Sequence, residues 1–294
     1  SNTAITAGWF TRSTEECADE LFYQIVYTGG YLNNQRLVQL FVSEIPDKMP
    51  QLREYGVDLF ADTDNKGTSD IETRKDKPGY FKIPRVKGQP RGYALTKPLR
   101  ENAEELGVEI LDGVAVTELL TSQNRIVGAT AVDLENGDFI VIQANSTILA
   151  TGGGAGVYKF NDNANGTTGD GFALALRAGA ELVDIECISF NMPRSKMAAI
   201  FNLEKVPDEE ILKTARCHYF LGGVRIDEST SSSLDGLYAA GEVTGGLFGA
   251  ARLGGSAMAD TIVFGAIAGQ KAAQRAKSID TIEIDQTQIE AEEK

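Results

Sequence analysis

Residues 235–265 read DGLYAAGEVTGGLFGAARLGGSAMADTIVFG, and within this run lie a carboxylate at the end of an apolar stretch and a helix entered through small residues. Glu242 follows residues that are apolar or small, which makes it a natural acceptor for ligand hydroxyls. The apolar pattern that begins at Gly255 and Ser256 predicts a long helix. Its first N–H groups are unpaired and its dipole turns a positive end to the loop, a setting that suits an electron-rich ligand edge. A ligand with both a polyol and an anionic ring edge is implied, and a flavin has both.

Two further glycine motifs stand upstream. ATGGG at 150–154 reads either as a tight turn or as backbone that must approach a ligand closely. TGDG reads either as a helix start with Asp170 as capping residue or as part of a ligand site. Neither decides the matter alone.

The elements that must carry these motifs follow from the hydrophobic period. Leu37, Leu40, Phe41, Ile45 and Leu52 predict a helix over 35–55, with Pro46 and Pro50 marking a bend or break. Residues 62–92 are polar and rich in Gly and Pro, a long surface loop. A helix is expected with Thr96 as N-cap and Pro98 in its first turn, ending at Gly107. The period then turns to that of strands at 108–111, 114–120, 126–134 and 139–143, separated by Asp112-Gly113, Gln123-Asn124 and Asn136-Gly137: a β-meander. A buried strand leads into ATGGG, where the rim of an α/β sheet receives ligands. After a polar loop at 161–169 come a helix over 170–179, a strand over 181–190, a short helix at 208–213, strands at 220–226 and 236–240, and the helix from Ser256 to about residue 277. The last residues form an acidic tail.

Composition narrows the function. The 294 residues and 42% hydrophobic content allow a substantial core. A net charge of −14 argues against nucleic acid or an anionic membrane surface as partner, so an anionic substrate needs a local basic pocket. Cys17, Cys187 and Cys217 show no disulfide or metal spacing and read as buried thiols in a reducing cytosol. No stretch is long and apolar enough to insert directly into a membrane, and no signal pattern opens the chain.

The order of the blocks is more specific than any one of them. A meander, ATGGG, TGDGFALALRAGAELVDIE, CHYFLGGVRID and then the 235–265 run resembles the flavoprotein subunits of the succinate dehydrogenase and fumarate reductase family, which includes L-aspartate oxidase. SNTAITAG is similar to the segment that wraps the flavin, and LNNQRLVQLFVSEIPDKMPQLREYGV to the helices after it. The resemblance implies an α/β fold, a Rossmann-like FAD-binding sheet with a β-meander and a vestigial cap domain. The implied domains are 1–190 and 217–278 as two parts of the FAD-binding unit, 191–216 as the cap remnant and 279–294 as the acidic tail.

Carried over residue by residue, it implies that Ser1, Thr3 and Gly8 lie along the flavin phosphate and ring, and that Val116 meets the adenine through its backbone. Ala150, Thr151 and Gly152 would flank the ADP moiety, Asp170 would support the cofactor, and Glu242 would bind ribityl or ribose hydroxyls. Ser256 and Met258 would face the pyrimidine edge of the ring. His218, the one histidine in the chain, matches a substrate-binding histidine; Arg252 matches an arginine that clamps a substrate carboxylate, though taken alone it reads as a surface ion pair.

Four departures qualify these expectations. The GxGxxG unit is absent, with the chain beginning just after it. Asn2 stands where respiratory members carry a flavin-linking histidine, so the FAD is expected to be noncovalent. The family's FHPT reads Phe190, Asn191, Met192, Pro193, with Asn191 in place of a substrate-binding histidine. The cap that carries the proton-donating arginine is reduced to a short stretch, in which neither Arg194 nor Arg216 matches the arginine motif, so no catalytic acid is assigned; a C-terminal helical domain is missing or just begun. The implied function is hydride transfer between flavin N5 and a small dicarboxylate, in the cytoplasm. The implied partner is an iron–sulfur electron-transfer subunit, with membrane association only through such a partner. The alternatives are a non-catalytic flavin-binding scaffold and a related flavoenzyme acting on another substrate.

Overall fold

The computed structural model describes residues 2–5, 9–57, 78–83, 86–191, 215–280 and 284–293. In chain order, α1 (Asn2–Ile5) and β1 (Trp9–Arg12) lead to α2 (Ala18–Thr28), α3 (Gln35–Gln51), β2 (Gly79–Lys82) and α4 (Tyr93–Glu105). The meander is β3 (Val114–Ser122), β4 (Arg125–Asp133) and β5 (Phe139–Gln143). Then follow β6 (Thr147–Leu149), α5 (Asp170–Arg177), β7 (Leu182–Val183), β8 (Ile188–Asn191), β9 (Arg216–Phe220), β10 (Gly223–Arg225), β11 (Leu237–Ala239) and β12 (Thr244–Gly245). The helices α6 (Ser256–Ser278) and α7 (Gln286–Glu292) complete the described chain.

The fold is α/β with a meander, as its sequence implies. The parallel pairing of β6 with β11 matters most for function. Leu149 lies opposite Ala239, and the Ala240 N–H continues the ladder to the Leu149 carbonyl at 3.0 Å. Because the two strands run the same way, ATGGG and the AGE turn emerge at the same sheet edge, although the sequence separates them widely. Buried apolar faces of α3 and α6 pack together beside this sheet, with Phe41 and Phe264 stacked at 6.3 Å between ring centroids. The strand β1 is joined to the α6 entrance through Thr11, whose N–H donates to the Gly255 carbonyl at 3.1 Å and whose hydroxyl lies 3.1 Å from that of Ser256. At the far end of α6, Arg275 grips Asp235 in a two-pronged contact at 2.9 and 2.8 Å, and Arg125 reaches the same carboxylate at 3.1 Å.

Several local expectations are corrected. Pro46 and Pro50 do not break α3, which runs through both to Gln51 because its buried face holds the register. The loop expected over 62–92 contains β2, which pairs antiparallel with β1; residues 62–77 and 84–85 of that span lie outside the described residues. The helix expected at Thr96 starts earlier, with Gly92 as N-cap, and the Thr96 hydroxyl bonds back to the Gly92 carbonyl at 3.4 Å. No strand forms at 108–111. Gly169, at φ +81°, occupies the cap position assigned to Asp170, a conformation that favours glycine. The strand expected over 181–190 is two strands, β7 and β8, and the one over 220–226 divides between the end of β9 and β10. Of the acidic tail, 286–292 is helical, with the Asp285 side chain capping α7. Cys17 and Cys217 are buried free thiols, whereas Cys187 is half-buried. The helix expected at 208–213 lies outside the described residues.

Replacing Phe264 by Ala removes one ring of the α3–α6 stack from a fully buried position. We expect a loss of about 3–5 kcal/mol of folding stability, measured by urea denaturation.

Candidate functional site

A cleft of about 1180 Å³ opens at the sheet edge where β6 and β11 end. Drug-sized ligands occupy pockets of roughly 300–1,000 Å³, so this one has room for a larger, elongated molecule. Its walls come from α1, the ATGGG turn, the 161–169 loop, the ends of β8 and β9, the AGE turn and the approach to α6.

Of the residues singled out by sequence, Thr3, Ala150, Thr151, Gly152, His218, Glu242, Arg252 and Met258 all line this cleft. Val116, Asp170 and Ser256 do not. Val116 sits half-exposed on β3, Asp170 accepts a hydrogen bond from the Thr168 hydroxyl at 2.6 Å, and Ser256 is fully buried against Thr11. Ser1 and Gly8 lie outside the described residues, as do Met192, Pro193 and Arg194.

Glu242 sits in the single turn of 3₁₀ helix that follows β11, 8% exposed. Its Oε1 accepts the Phe220 N–H at 3.0 Å. Gly153 packs directly on the carboxylate: a Cβ there would stand 2.1 Å from Oε1, so a side chain at this position would displace the Glu242 carboxylate from where it lies. Gly152, at φ +75°, has open space where its Cβ would be, and this part of the rim is bare backbone facing the cleft. Burial pushes the Glu242 carboxyl up to about 7, against the opposing pull of the Phe220 amide, Arg252, Asn2 and the Gly153 amide.

Arg252 lies over the Tyr219 ring, 4.5 Å from its centroid, and that ring meets Phe248 edge to face at 5.9 Å. Stacking on an aromatic face orients a guanidinium without consuming its N–H donors. One of those donors, Nε, is buried without a hydrogen-bond partner among the described residues. Beneath this pair Asp260, 1% exposed on α6, accepts a hydrogen bond from the Tyr219 hydroxyl, and its Oδ1 has no partner among the described residues. Burial drives the Asp260 carboxyl to about 7, although Arg252 and the Tyr219 hydroxyl hold it down, and burial likewise raises the Tyr219 phenol well above its usual value.

A second polar group surrounds His218. Its Nδ1 lies 2.9 and 3.0 Å from the two oxygens of Asp162, which also accepts from Asn191 Nδ2 at 2.9 Å and Asn163 Nδ2 at 3.1 Å. Asn2 ties the same loop to α1: its Oδ1 accepts from the Ala164 N–H at 2.7 Å and the Thr167 hydroxyl at 3.2 Å, and its amide donates to Asn163.

Sequence reasoning passed over Asp162, Tyr219 and Asp260. Asp162 was hidden in a stretch read only as a polar loop. Asp260 had a visible signal, a lone acid two residues beyond Met258 in an otherwise apolar helix start.

The family described as "FAD binding domain" matches residues 2–197 and 198–258. The chain is 30% identical to a subunit of the fumarate reductase (CoM/CoB) of Methanothermobacter marburgensis, over 90% of its own length and 63% of that protein's. It is 24% identical to the fumarate reductase flavoprotein subunit of Haemophilus influenzae, covering 95% of this chain and 62% of the relative. Among solved structures, "Mycobacterium smegmatis Sdh1 in complex with UQ1" superposes with a TM-score of 0.78 at 25% identity, over 99% of this chain and 65% of that one. The chain therefore spans a little under two thirds of the length of these relatives. The cleft fits a flavin dinucleotide by its own chemistry: bare glycine backbone at Gly152, a buried carboxylate acceptor at Glu242, and a glycine-rich helix entrance at 254–255.

The raised carboxyls have a consequence for the flavin-free protein. A carboxyl that holds its proton more tightly in the folded than in the unfolded chain adds stability that is complete below its unfolded value of about 4–4.5 and disappears as pH rises through its folded value. For Glu242 and Asp260 that loss falls between about pH 4.5 and 7. The urea midpoint of Glu242→Gln should therefore decline less than that of the wild type between pH 5 and 8; equal declines would contradict the assignment.

Proposed function

The chain belongs to the FAD binding domain family, with FAD as its cofactor, and from that premise we propose that it is an oxidoreductase passing a hydride between the flavin and a small dicarboxylate. The flavin, when bound, supplies the two-electron chemistry at N5. What the protein's own residues do is hold the reactants and set their charges. Thr3, Ala150, Thr151 and Gly152 line the cofactor's course, Glu242 accepts its hydroxyls, and Met258 in the first turn of α6 lies along the ring. With Asn2 at the linking position and its amide engaged by Asn163, Ala164 and Thr167, the cofactor is held without a covalent bond to that residue. Ser1, Gly8, Val116, Asp170 and Ser256 keep cofactor roles on the strength of the resemblance alone.

One observation carries the substrate reading. Arg252 lines the cleft with its guanidinium braced on Tyr219, in a chain whose net charge of −14 would otherwise repel a dianion. A braced guanidinium is suited to a carboxylate. His218 lines the same cleft, which supports the substrate-binding role the resemblance gives it. The partner we propose is an iron–sulfur electron-transfer subunit, through which any association with a membrane would come; among the described residues no helix is long and apolar enough to cross one. A different substrate in the same site is the second reading, favoured by Asn191: it holds Asp162 beside His218, and an anion there disfavours a second substrate carboxylate.

Purified protein supplied with FAD should be yellow, and acid precipitation should release the flavin into the supernatant. After photoreduction, fumarate should reoxidise it, and Arg252→Ala should slow this by about 10²-fold, the scale expected when a buried charge partner is removed. Reoxidation by another acceptor but not by fumarate would reject the dicarboxylate in favour of the second reading. A chain that takes up no flavin would reject the oxidoreductase reading in favour of a fragment or scaffold without redox chemistry.

A further inference from the structure

We propose that Asp260 is the positioning residue of Arg252: by accepting the Tyr219 hydroxyl it fixes the ring on which the guanidinium lies, and so sets where the cleft presents its cation. This role rests on the carboxylate-binding reading of Arg252 above.

Arg252 has few direct holds. Its one hydrogen bond among the described residues runs from Nη1 to the carbonyl of the adjacent Leu253 at 3.4 Å, and its Nε is buried without a partner. Glu242 and Asp260 feel its charge without a hydrogen bond to it. What remains is the Tyr219 ring, whose centroid lies 4.5 Å from the guanidinium carbon. A guanidinium laid on a ring face keeps its other N–H groups directed outward in its own plane, but it goes where the ring goes.

The ring is pinned at both ends. Its backbone is held in β9, where Tyr219 lies opposite Ser189 of β8. Its hydroxyl donates to Asp260 in the second turn of α6, a helix tied to β1 at Ser256 and gripped through Arg275 at its other end. Phe248 meets the ring edge to face at 5.9 Å, a contact that fills space while leaving the ring able to tilt. Tyr219 is 7% exposed and Asp260 1%, so water does not compete for the bond between them. Burial raises the phenol well above its usual value, which keeps the hydroxyl a donor, and a carboxyl can accept from it in either protonation state.

A phenylalanine and a leucine of similar shape would fill this space with no polar group to satisfy. The buried acid instead carries a desolvation cost, increased by an Oδ1 that has no partner among the described residues. What the hydroxyl–carboxyl pair adds over that apolar pair is direction, since a hydrogen bond fixes the far end of the ring where packing alone does not.

Charge and position predict opposite effects, which makes the role testable. Removing an acid beside a guanidinium should, by charge alone, tighten the binding of an anion. Loss of the ring's anchor should weaken it. With FAD-loaded protein, the probe is malonate, a dicarboxylate with no reducible bond, followed by its perturbation of the flavin absorbance. Asp260→Leu and Tyr219→Phe should each raise the Kd about tenfold, and Asp260→Asn, whose amide oxygen accepts the same bond, should restore most of the affinity. The double variant Asp260→Leu/Tyr219→Phe should be no worse than the poorer single, because both changes remove one bond. Flavin stoichiometry near that of the wild type shows that each variant is folded. Malonate bound equally well or better by Asp260→Leu, or losses that add in the double variant, would overturn the proposal.

A second readout needs no substrate. The ¹⁵N signal of the Arg252 Nε–H, identified by its loss in Arg252→Lys, should exchange slowly with water in the wild type, and at least tenfold faster in Asp260→Leu and Tyr219→Phe. Fast exchange in the wild type would remove the brace, and a change in Asp260→Leu alone would show the acid acting without the ring; either overturns the proposal. The expected exchange pattern in a wild type that ignores malonate would uphold the positioning of Arg252 and reject the dicarboxylate.

Discussion

A carboxylate taken out of water must find its donors where it lies, and in this chain Glu242 imposes that requirement on three separate segments. The Phe220 amide donates to it, Gly153 lies against it with no room for a Cβ, and the turn after β11 delivers it. Each segment brings its neighbours: Phe220 follows His218 and Tyr219, Gly153 follows Thr151 and Gly152, and Glu242 precedes the loop to Arg252. The site is thus assembled around one polar group whose burial would be costly if any of the three moved away.

The same economy of charge extends from Glu242 to Arg252 and Asp260. Arg252, Asp260 and Glu242 are near enough for each carboxyl to feel the guanidinium, and Tyr219 stands between as both ring and hydroxyl donor. Burial raises both acids, and the Arg252 guanidinium beside them offsets it only in part. Proton occupancy of the two acids is coupled through the guanidinium they share.

Much of this was legible in the sequence because it rests on local chemistry. The α6 entrance and the meander followed from glycine and period, whereas His218 and Arg252, which line the same cleft as Glu242, were singled out by the family resemblance. What escaped reading depended on contacts between distant residues. The prolines of α3 are tolerated because tertiary burial fixes the helix, and nothing local to 181–190 shows that two short strands join different partners. Asp162 looked like any loop acid, since only the fold brings Nδ1 of His218 to within 3.0 Å of it. Asn191 looked like a loss because the gain lies 29 residues away in the chain, at Asp162.

The junction of Thr11 with Ser256 sets a timetable. Its two hydroxyls are 245 positions apart in the chain, and the Gly255 carbonyl that anchors β1 is almost as distant. On a ribosome the amino-terminal wall waits for the α6 entrance to be synthesised and to emerge, so a cofactor meeting the nascent chain earlier encounters half a binding site.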